Sequence, residues 1–467
     1  MRKSIFLTVF LLLFSSTSLW VAHGWVDQEK DTVTIEEKVL QGDKGYARGL
    51  VVNSNTISDN HLIWDTSYTI GKKPLTATAF YFSQVEKQDG FDYIEAAVFD
   101  ASMPFSGMGM SSSSEIDLEE DSFRLIREPL KAVASRTEPG QRHKEVIFLK
   151  DYFEYYPLEI SFYNFPMSIE TSNKVSKYFS ERFKIPVRAD HKVEIEIKKN
   201  RGGEIIEIKL STVGENGVYP TVTSVSTGEG CYFAMSLRSY DGKVLDPELP
   251  PECAGIHFIP FETVSGQINS MFSGEINPRV EKMKRVFAVD PEEAKIVMLK
   301  VEEDQSNFLL VTKENQKCFL TVIDRKTMTP LQKIELFNVP QEDMFSDLCL
   351  EKGFLVPMLF DGSFVVLSPK ENGNYEEKIR GNFSEAKEMW QDYAGDLVMT
   401  YNGKSLAALM PKHMNGNGSS SFYISVYESA GLVFSGKYEN SLDKALLLPQ
   451  NPENYSVNGR VTFTLDW

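Results

Sequence analysis

The sequence predicts a mainly β protein. Its C-terminal region is expected to hold propeller-like antiparallel four-stranded repeats, its N-terminal part to be β-rich with one short helix, and its first residues to form a single export or anchor helix. Three observations carry this reading. Strand-favouring aromatic residues make up 12% of the chain, with 31 Phe and 19 Tyr. From about residue 287 onward, short strand-like runs fall into three groups of four, each of a length that matches a propeller blade. A lone strand at 460–467 follows an Asn458-Gly459 turn, as expected of a propeller whose last blade is completed by an early strand. A stacked β-sandwich would give a similar rhythm.

The N-terminus is the clearest signal. Arg2 and Lys3 precede an apolar run at 5–14, then Ser15, Ser16, Thr17 and Ser18, then a second apolar stretch at 19–26 that ends before Asp27, Glu29 and Asp31. A positive start followed by an apolar run is what export machinery reads. Residues 1–26 are therefore a signal peptide or a signal anchor. Ser16 with Ser18, or Ala22 with Gly24, supply small residues for cleavage, whereas 4–26 are long enough to cross a bilayer uncleaved. Trp20 and Trp25 would then lie at the interface. No cysteine is near for lipid attachment. The expected location is the cell membrane, facing outside, or the medium, with the membrane itself as a partner.

Residues 27–227 read as the β-rich N-terminal region. Gly42, Gly45 and Gly49 punctuate early turns without the spacing of a dinucleotide fingerprint. Strands are expected at 76–84 and 93–99. The stretch 106–121 combines Gly107, Met108, Gly109, a serine run and Glu115, Asp117, Glu119, Glu120 and Asp121; it reads as a surface loop lacking calcium-loop spacing. An aromatic stretch at 146–165 includes Tyr152, Phe153, Tyr155 and Tyr156. Helical spacing of Val175, Tyr178, Phe179 and Phe183 predicts a helix near 173–184, capped by Ser172 and stopped by Pro186. Alternation at Val193, Ile195, Ile197 and again at Ile206, Ile208, Leu210 around Gly202-Gly203 predicts a hairpin.

Residues 228–467 read as the propeller-like region. After strands at 232–237 and 256–261, with a turn at Asp241-Gly242, the groups comprise 295–301, 308–312, 318–323 and 331–336; then 347–350, 354–360, 363–368 and 375–379; then 397–401, 405–410, 422–427 and 433–438. Asp361-Gly362 and Asn402-Gly403 mark hairpin turns.

Composition narrows function. With 42% hydrophobic and 25% charged residues the chain is globular, and a net charge of −17 with interspersed signs excludes nucleic acid as a partner. The cluster Lys198, Lys199, Arg201 sits at a hairpin tip. Cys231, Cys253, Cys318 and Cys349 permit two disulfides in an exported chain, or four free thiols, and their spacing is not that of a zinc site. No nucleophile elbow, metalloprotease helix or phosphate loop is present, and two Ser-x-x-Lys matches, at 384–387 and 441–444, lack their companion motifs. The histidines are scattered at 23, 61, 143, 191, 257 and 413. No cofactor is implied. The residues best suited to contact a ligand are Tyr152, Tyr155 and Tyr156 from the aromatic stretch, and His61, Trp64 and Asp65 from the segment His61-Leu62-Ile63-Trp64-Asp65.

The chain resembles a family of membrane-anchored or secreted proteins from gut-type Firmicutes that has no assigned activity. The resemblance rests on Gly42-Asp43-Lys44, the segment from His61 to Thr66, Asp151-Tyr152-Phe153-Glu154-Tyr155-Tyr156-Pro157-Leu158, Phe183-Lys184-Ile185-Pro186-Val187, Cys231-Tyr232-Phe233, and Gly255-Ile256-His257-Phe258-Ile259-Pro260-Phe261. It implies an extracytoplasmic location and this architecture, and no active site. Two readings of function follow. The first is a binding, sensing or scaffold module at the cell surface, with an unidentified extracellular ligand or protein as partner. The alternative is a secreted carbohydrate-active hydrolase using a carboxylate pair.

Overall fold

The structure is a computed structural model. It describes residues 2–58, 62–80, 98–105, 107–163, 169–213, 218–239, 249–264, 275–339, 345–351, 353–370, 373–391, 397–414, 417–445 and 461–467. His61, the turns Asp241-Gly242 and Asn458-Gly459, and the expected strand residues 81–84 and 93–97 lie outside these. The chain forms two compact units, Met1–Asp89 with Asp343–Trp467, and Gly90–Glu342.

The first unit opens with helix α1 (Arg2–Glu29) and strands β1 (Ile35–Gly42), β2 (Val51–Ser58), β3 (Leu62–Thr69) and β4 (Leu75–Phe80). The second unit follows with β5 (Val98–Ser102), β6 (Gly109–Ser111), α2 (Arg127–Arg136), β7 (Arg142–Phe148), β8 (Glu159–Tyr163), α3 (Ile169–Arg182), β9 (Lys192–Lys199), β10 (Ile205–Val213), β11 (Val218–Thr227), β12 (Gly230–Ser239), β13 (Gly255–Val264), β14 (Glu275–Pro278), β15 (Lys284–Ala288), β16 (Lys295–Val301), β17 (Asn307–Glu314), β18 (Lys317–Asp324) and β19 (Thr329–Asn338). The chain then returns to the first unit through β20 (Phe345–Glu351), β21 (Phe354–Leu359), β22 (Ser363–Pro369), β23 (Tyr375–Asn382), α4 (Lys387–Gln391), β24 (Val398–Tyr401), β25 (Leu406–Met414), β26 (Asn417–Glu428), β27 (Gly431–Asn440), α5 (Leu442–Ala445) and β28 (Val461–Asp466).

The propeller-like four-stranded sheets of the C-terminal region are present. β16-β17-β18-β19 and β20-β21-β22-β23 are antiparallel meanders, and β24 to β27 form a third that gains β1 as a fifth strand. Residues 308–336 are an antiparallel sheet, as expected, turned at Asp324, whose carboxylate accepts from the Thr327 N–H at 2.7 Å. The exchange of terminal strands is double. β1 adds to β27, and β28 heads the sheet β28-β2-β3-β4 by pairing with β2 from Val51↔Asp466 to Thr56↔Val461. Gly42 makes the crossover from β1 to β2 feasible: its φ is +76°, and a Cβ there would meet the Val433 carbonyl oxygen at 2.0 Å.

In the first unit the sheets pack in succession. Phe354, Val356, Phe364 and Val366 meet Met399, Ala408, Met410, Tyr423 and Tyr427. The opposite face of that middle sheet, with Ala407, Leu409, Phe422, Ile424 and Phe434, meets Val52, Tyr68, Phe463 and Leu465. The buried serines Ser419, Ser420 and Ser421 of β26 lie against α5. Asp443 accepts from the hydroxyls of Ser419 and Ser420 at 2.6 Å each, from the Ser420 N–H at 2.7 Å, from the Ser421 N–H at 3.1 Å, and from the Ser421 hydroxyl.

In the second unit one face of β12 and β13 packs Tyr232, Ala234 and Ile256 against Ile296, Leu299, Phe308 and Leu310. The other face packs Cys231, Phe233 and Met235 into a larger core with α2, α3, β5, β8 and the sheet β6-β10-β9-β7. Phe233 is its hub, with ring centroids 4.3 Å from Phe99, 5.6 Å from Phe179, 6.0 Å from Phe183 and 5.3 Å from His257.

Several expectations need correction. The boundary at 227/228 falls in the turn of the β11–β12 hairpin, and the compact units cut the chain elsewhere, because β1 and β28 pair across most of its length. The helix begins at Ile169, so Ser172 lies inside it and its hydroxyl donates to Ile160 O at 3.4 Å. Helix α2 was not expected; Pro129 sits in its first turn, where a missing N–H costs nothing, and Leu130, Val133 and Ala134 face the core. The acidic stretch is not only a loop: β6 pairs with β10, and Ile116 and Leu118 are buried.

Candidate functional site

The residues proposed for ligand contact do not gather. Tyr156 is 1% exposed. Its hydroxyl meets His191 Nδ1 at 2.8 Å and accepts from the Arg188 N–H at 3.3 Å, and burial pushes its phenol up to about 12. It is a core strut. Tyr152 and Tyr155 are half-buried, and Tyr155 carries Lys184 Nζ 5.7 Å above its ring. Trp64 and Asp65 belong to the other unit and point to opposite faces of β3, as neighbours in a strand must. Trp64 is 8% exposed and packs with Val33 and Leu442. Asp65 is exposed and accepts from Asn55 Nδ2 at 2.7 Å. His61 lies outside the described residues.

All four cysteines are free thiols, so the two disulfides that the sequence allowed are not formed. Cys231 and Cys318 stand in strands that place their side chains in the core, where they have no bridging partner. Burial pushes the thiols of Cys231 and Cys253 up to about 12 and that of Cys318 up to about 11, which withholds the nucleophilic thiolate. His191 and His257 are buried and held neutral, both pushed down to about 4 chiefly by burial. The Arg188 and Arg285 guanidiniums act in the same direction.

Among the described residues, two surface depressions bear on function. In the second unit, Gly107, Met108 and Gly109 border a space of about 260 Å³ with Glu194, Glu196, Lys209, Leu210 and Ser211. The Leu210 N–H donates to Met108 O at 2.8 Å and holds the loop over the sheet. Glu194 and Glu196 stand two residues apart on one face of β9, roughly 7 Å along the strand, a separation compatible with a hydrolytic pair. Each is engaged: Glu194 with Lys144 at 2.7 Å, Glu196 with Arg142 at 2.9 Å and Lys209 at 3.6 Å. Among the described residues no Tyr or Trp lines the space.

In the first unit, a depression of about 170 Å³ lies on the sheet face formed by β28, β2 and β3. Its lining includes Asn53, Asn55, Asp65, Ser67, Thr462 and Thr464. The pairings Thr464↔Asn53↔Ser67 and Thr462↔Asn55↔Asp65 set these side chains in two rows of three. The rows are fixed by alternation, since the intervening Val52, Trp64, Phe463 and Leu465 are buried.

No protein-family model matches the chain, and no curated protein matches it in sequence. Among solved structures it is similar to a putative 6-phosphogluconolactonase from Bacteroides fragilis, at 10% identity and TM-score 0.30, over 82% of this chain and 93% of that one. A counterpart from Bacteroides uniformis gives 13% identity and TM-score 0.24, over 59% and 85%. A protein from Lactobacillus plantarum gives 9% identity and TM-score 0.22, over 54% and 82%. Likenesses this distant carry no argument about chemistry.

The β28-β2-β3 face is the candidate site. It contains Asp65, one of the residues selected from sequence, and its polar groups retain hydrogen-bonding capacity. The carboxylates of the second-unit depression are engaged in ion pairs with Lys144, Arg142 and Lys209. Sequence reasoning missed Asn53, Asn55, Ser67, Thr462 and Thr464. The alternation Asn53-x-Asn55 and Thr462-x-Thr464 marks polar strand faces, but nothing local says that the two segments, about 400 residues apart in sequence, are neighbours.

Proposed function

We propose that the protein is an extracytoplasmic binding module, held at a membrane by its N-terminal segment and presenting its sheet surfaces to a ligand outside. The observation that carries this is the exposure of α1. Phe10, Leu11, Leu12, Leu13 and Phe14 are 52–64% exposed, and Leu19 and Trp20 are 71% and 78% exposed. None of them belongs to a described core cluster. An apolar run this exposed needs a large core, a bilayer or removal by cleavage, because each such side chain left in water forgoes roughly 1.5–3 kcal/mol of burial. Among the described residues no helix is long and apolar enough to cross a membrane. The expected export segment at 1–26 falls partly on side chains outside the described ones. The resemblance to anchored or secreted Firmicutes proteins supports the same location.

Fractionation of the native host with a carbonate wash tests the proposal. Full-length protein in the washed membrane supports an anchor, and protein in the medium lacking residues 1–26 supports a cleaved signal. Full-length protein in the cytosol overturns both. The hydrolase reading has one observation on its side, the facing of Glu194 and Glu196 into one depression. Saccharide hydrolysis by the wild type that Glu194→Gln or Glu196→Gln abolishes would move it ahead.

A further inference from the structure

We infer that the β28-β2-β3 face is a subsite for a neutral, polyhydroxylated ligand, a saccharide ring or one unit of a longer glycan. The inference rests on the binding-module reading and adds the ligand class.

The first ground is charge. In a chain with 25% charged residues, the lining of this depression contains a single ionisable side chain, Asp65, and no Lys or Arg. A phosphate, sulfate or nucleic-acid backbone would meet a carboxylate with no compensating cation on a protein of net charge −17. Every lining residue also carries a polar group, and a purely apolar ligand would cover those groups without pairing them.

The second ground is hydrogen-bond character. Asn53 and Asn55 each offer an amide acceptor and two N–H donors, Ser67, Thr462 and Thr464 each offer a hydroxyl that donates and accepts, and Asp65 accepts only. Sugar hydroxyls donate and accept in turn, so this mixture is complementary to them. Little of it is already engaged. Asn53 Nδ2 donates to Thr464 Oγ1 at 3.3 Å, and Asn55 Nδ2 donates to Asp65 Oδ1 at 2.7 Å. The Asn55–Asp65 contact orients the carboxylate and leaves its second oxygen open to a ligand hydroxyl.

The third ground is shape. Neighbouring strands set the columns about 4.8 Å apart, and alternate residues set the rows about 7 Å apart. A patch of two rows by three columns at these spacings spans about one sugar ring. The volume of about 170 Å³ is below that of a drug-sized pocket, ~300–1,000 Å³. At the rim, Leu75 pairs with Ser67 and Ala77 with Asp65, so both lie on the same face, and Leu75 is 75% exposed. Their C–H surface can meet the apolar face of a pyranose.

The experiment is calorimetric titration of the purified full-length chain with maltohexaose, cellohexaose and chitohexaose, with a sulfated hexasaccharide and calcium chloride as counter-probes. At least one neutral probe is expected to bind and the sulfated one not to. Asp65→Ala removes a charged acceptor, and Thr462→Val with Thr464→Val removes two hydroxyls at nearly constant volume on strand positions where Val is favoured. Each variant is expected to weaken binding about tenfold or more, with an unchanged melting curve. Lys144→Gln, in the other unit, is expected to leave binding as it is. Absence of binding to every neutral probe, undiminished binding in the folded Asp65 and threonine variants, or binding of calcium alone overturns the inference. Because membrane location is read by fractionation and the subsite by titration, each can fail without the other.

Discussion

The two units bury different polar groups. The first unit buries serine, threonine and tyrosine hydroxyls; some are gathered around carboxylates, and others, such as the Tyr438 hydroxyl and Thr56 Oγ1, have no hydrogen-bond partner among the described residues. Asp443 is saturated by Ser419, Ser420 and Ser421, and Tyr68 donates to Glu37 at 3.2 Å while Glu37 also accepts from Lys44 at 2.6 Å. The second unit keeps groups uncharged by burial: His191 and His257, and three of its cysteines. Their exposed faces differ as well. The sheet β6-β10-β9-β7 wears an ion-pair lattice in which Arg142 meets Glu196 at 2.9 Å and Glu207 at 2.8 Å. The face β28-β2-β3 is amide and hydroxyl with one carboxylate, Asp65. One strand architecture therefore tolerates either solution, and the solution decides which solvent variable a unit feels. All 5 tryptophans lie in the first unit, so indole fluorescence reports it alone, while far-UV circular dichroism reports both.

Acid should separate the units most. The fold holds His191 and His257 neutral down to about pH 4, whereas the unfolded chain takes up protons near 6.5. Between those values the unfolded state binds more protons, so stability is full above about pH 6.5 and falls as pH drops towards 4, by up to about 3 kcal/mol per histidine. Urea midpoints by circular dichroism should fall between pH 7 and pH 5 before those by tryptophan fluorescence do. In a folded His257→Gln variant the circular-dichroism slope should be roughly halved. Coincident transitions at every pH would break the comparison.

Phe233→Ala comes next, removing the ring around which Phe99, Phe179, Phe183 and His257 pack. A cost of about 4 kcal/mol is expected in the circular-dichroism transition, with the fluorescence transition unmoved. Asp443→Ala should do the reverse at about 3 kcal/mol, since it strands buried serine hydroxyls and N–H groups in the first unit. If it shifts both probes equally, the units unfold as one. The smallest effect is the response to reductant. With all four thiols free, dithiothreitol should leave both midpoints within about 0.5 kcal/mol. A thiol reagent should modify half-buried Cys349 ahead of Cys231, Cys253 and Cys318.

Local pattern was enough to find most of the strands. The hairpin of β9 and β10, the meander β16 to β19 and the groups from β20 to β27 follow from alternation and from turns such as Asp361-Gly362 and Asn402-Gly403, because a two-residue period and a positive-φ glycine are properties of the chain itself. The apolar N-terminal run and the acidic composition are likewise sequence facts. Tertiary structure alone decided which strands are neighbours when hundreds of residues separate them. Val51 can pair with Asp466, and β1 with β27, only because stacked sheets bury their apolar faces together, an energy that no local window contains. The same long-range register moved Trp64 into the core, left Asp65 outside beside Asn55 and Thr462, and turned residues unremarkable in sequence into one polar surface.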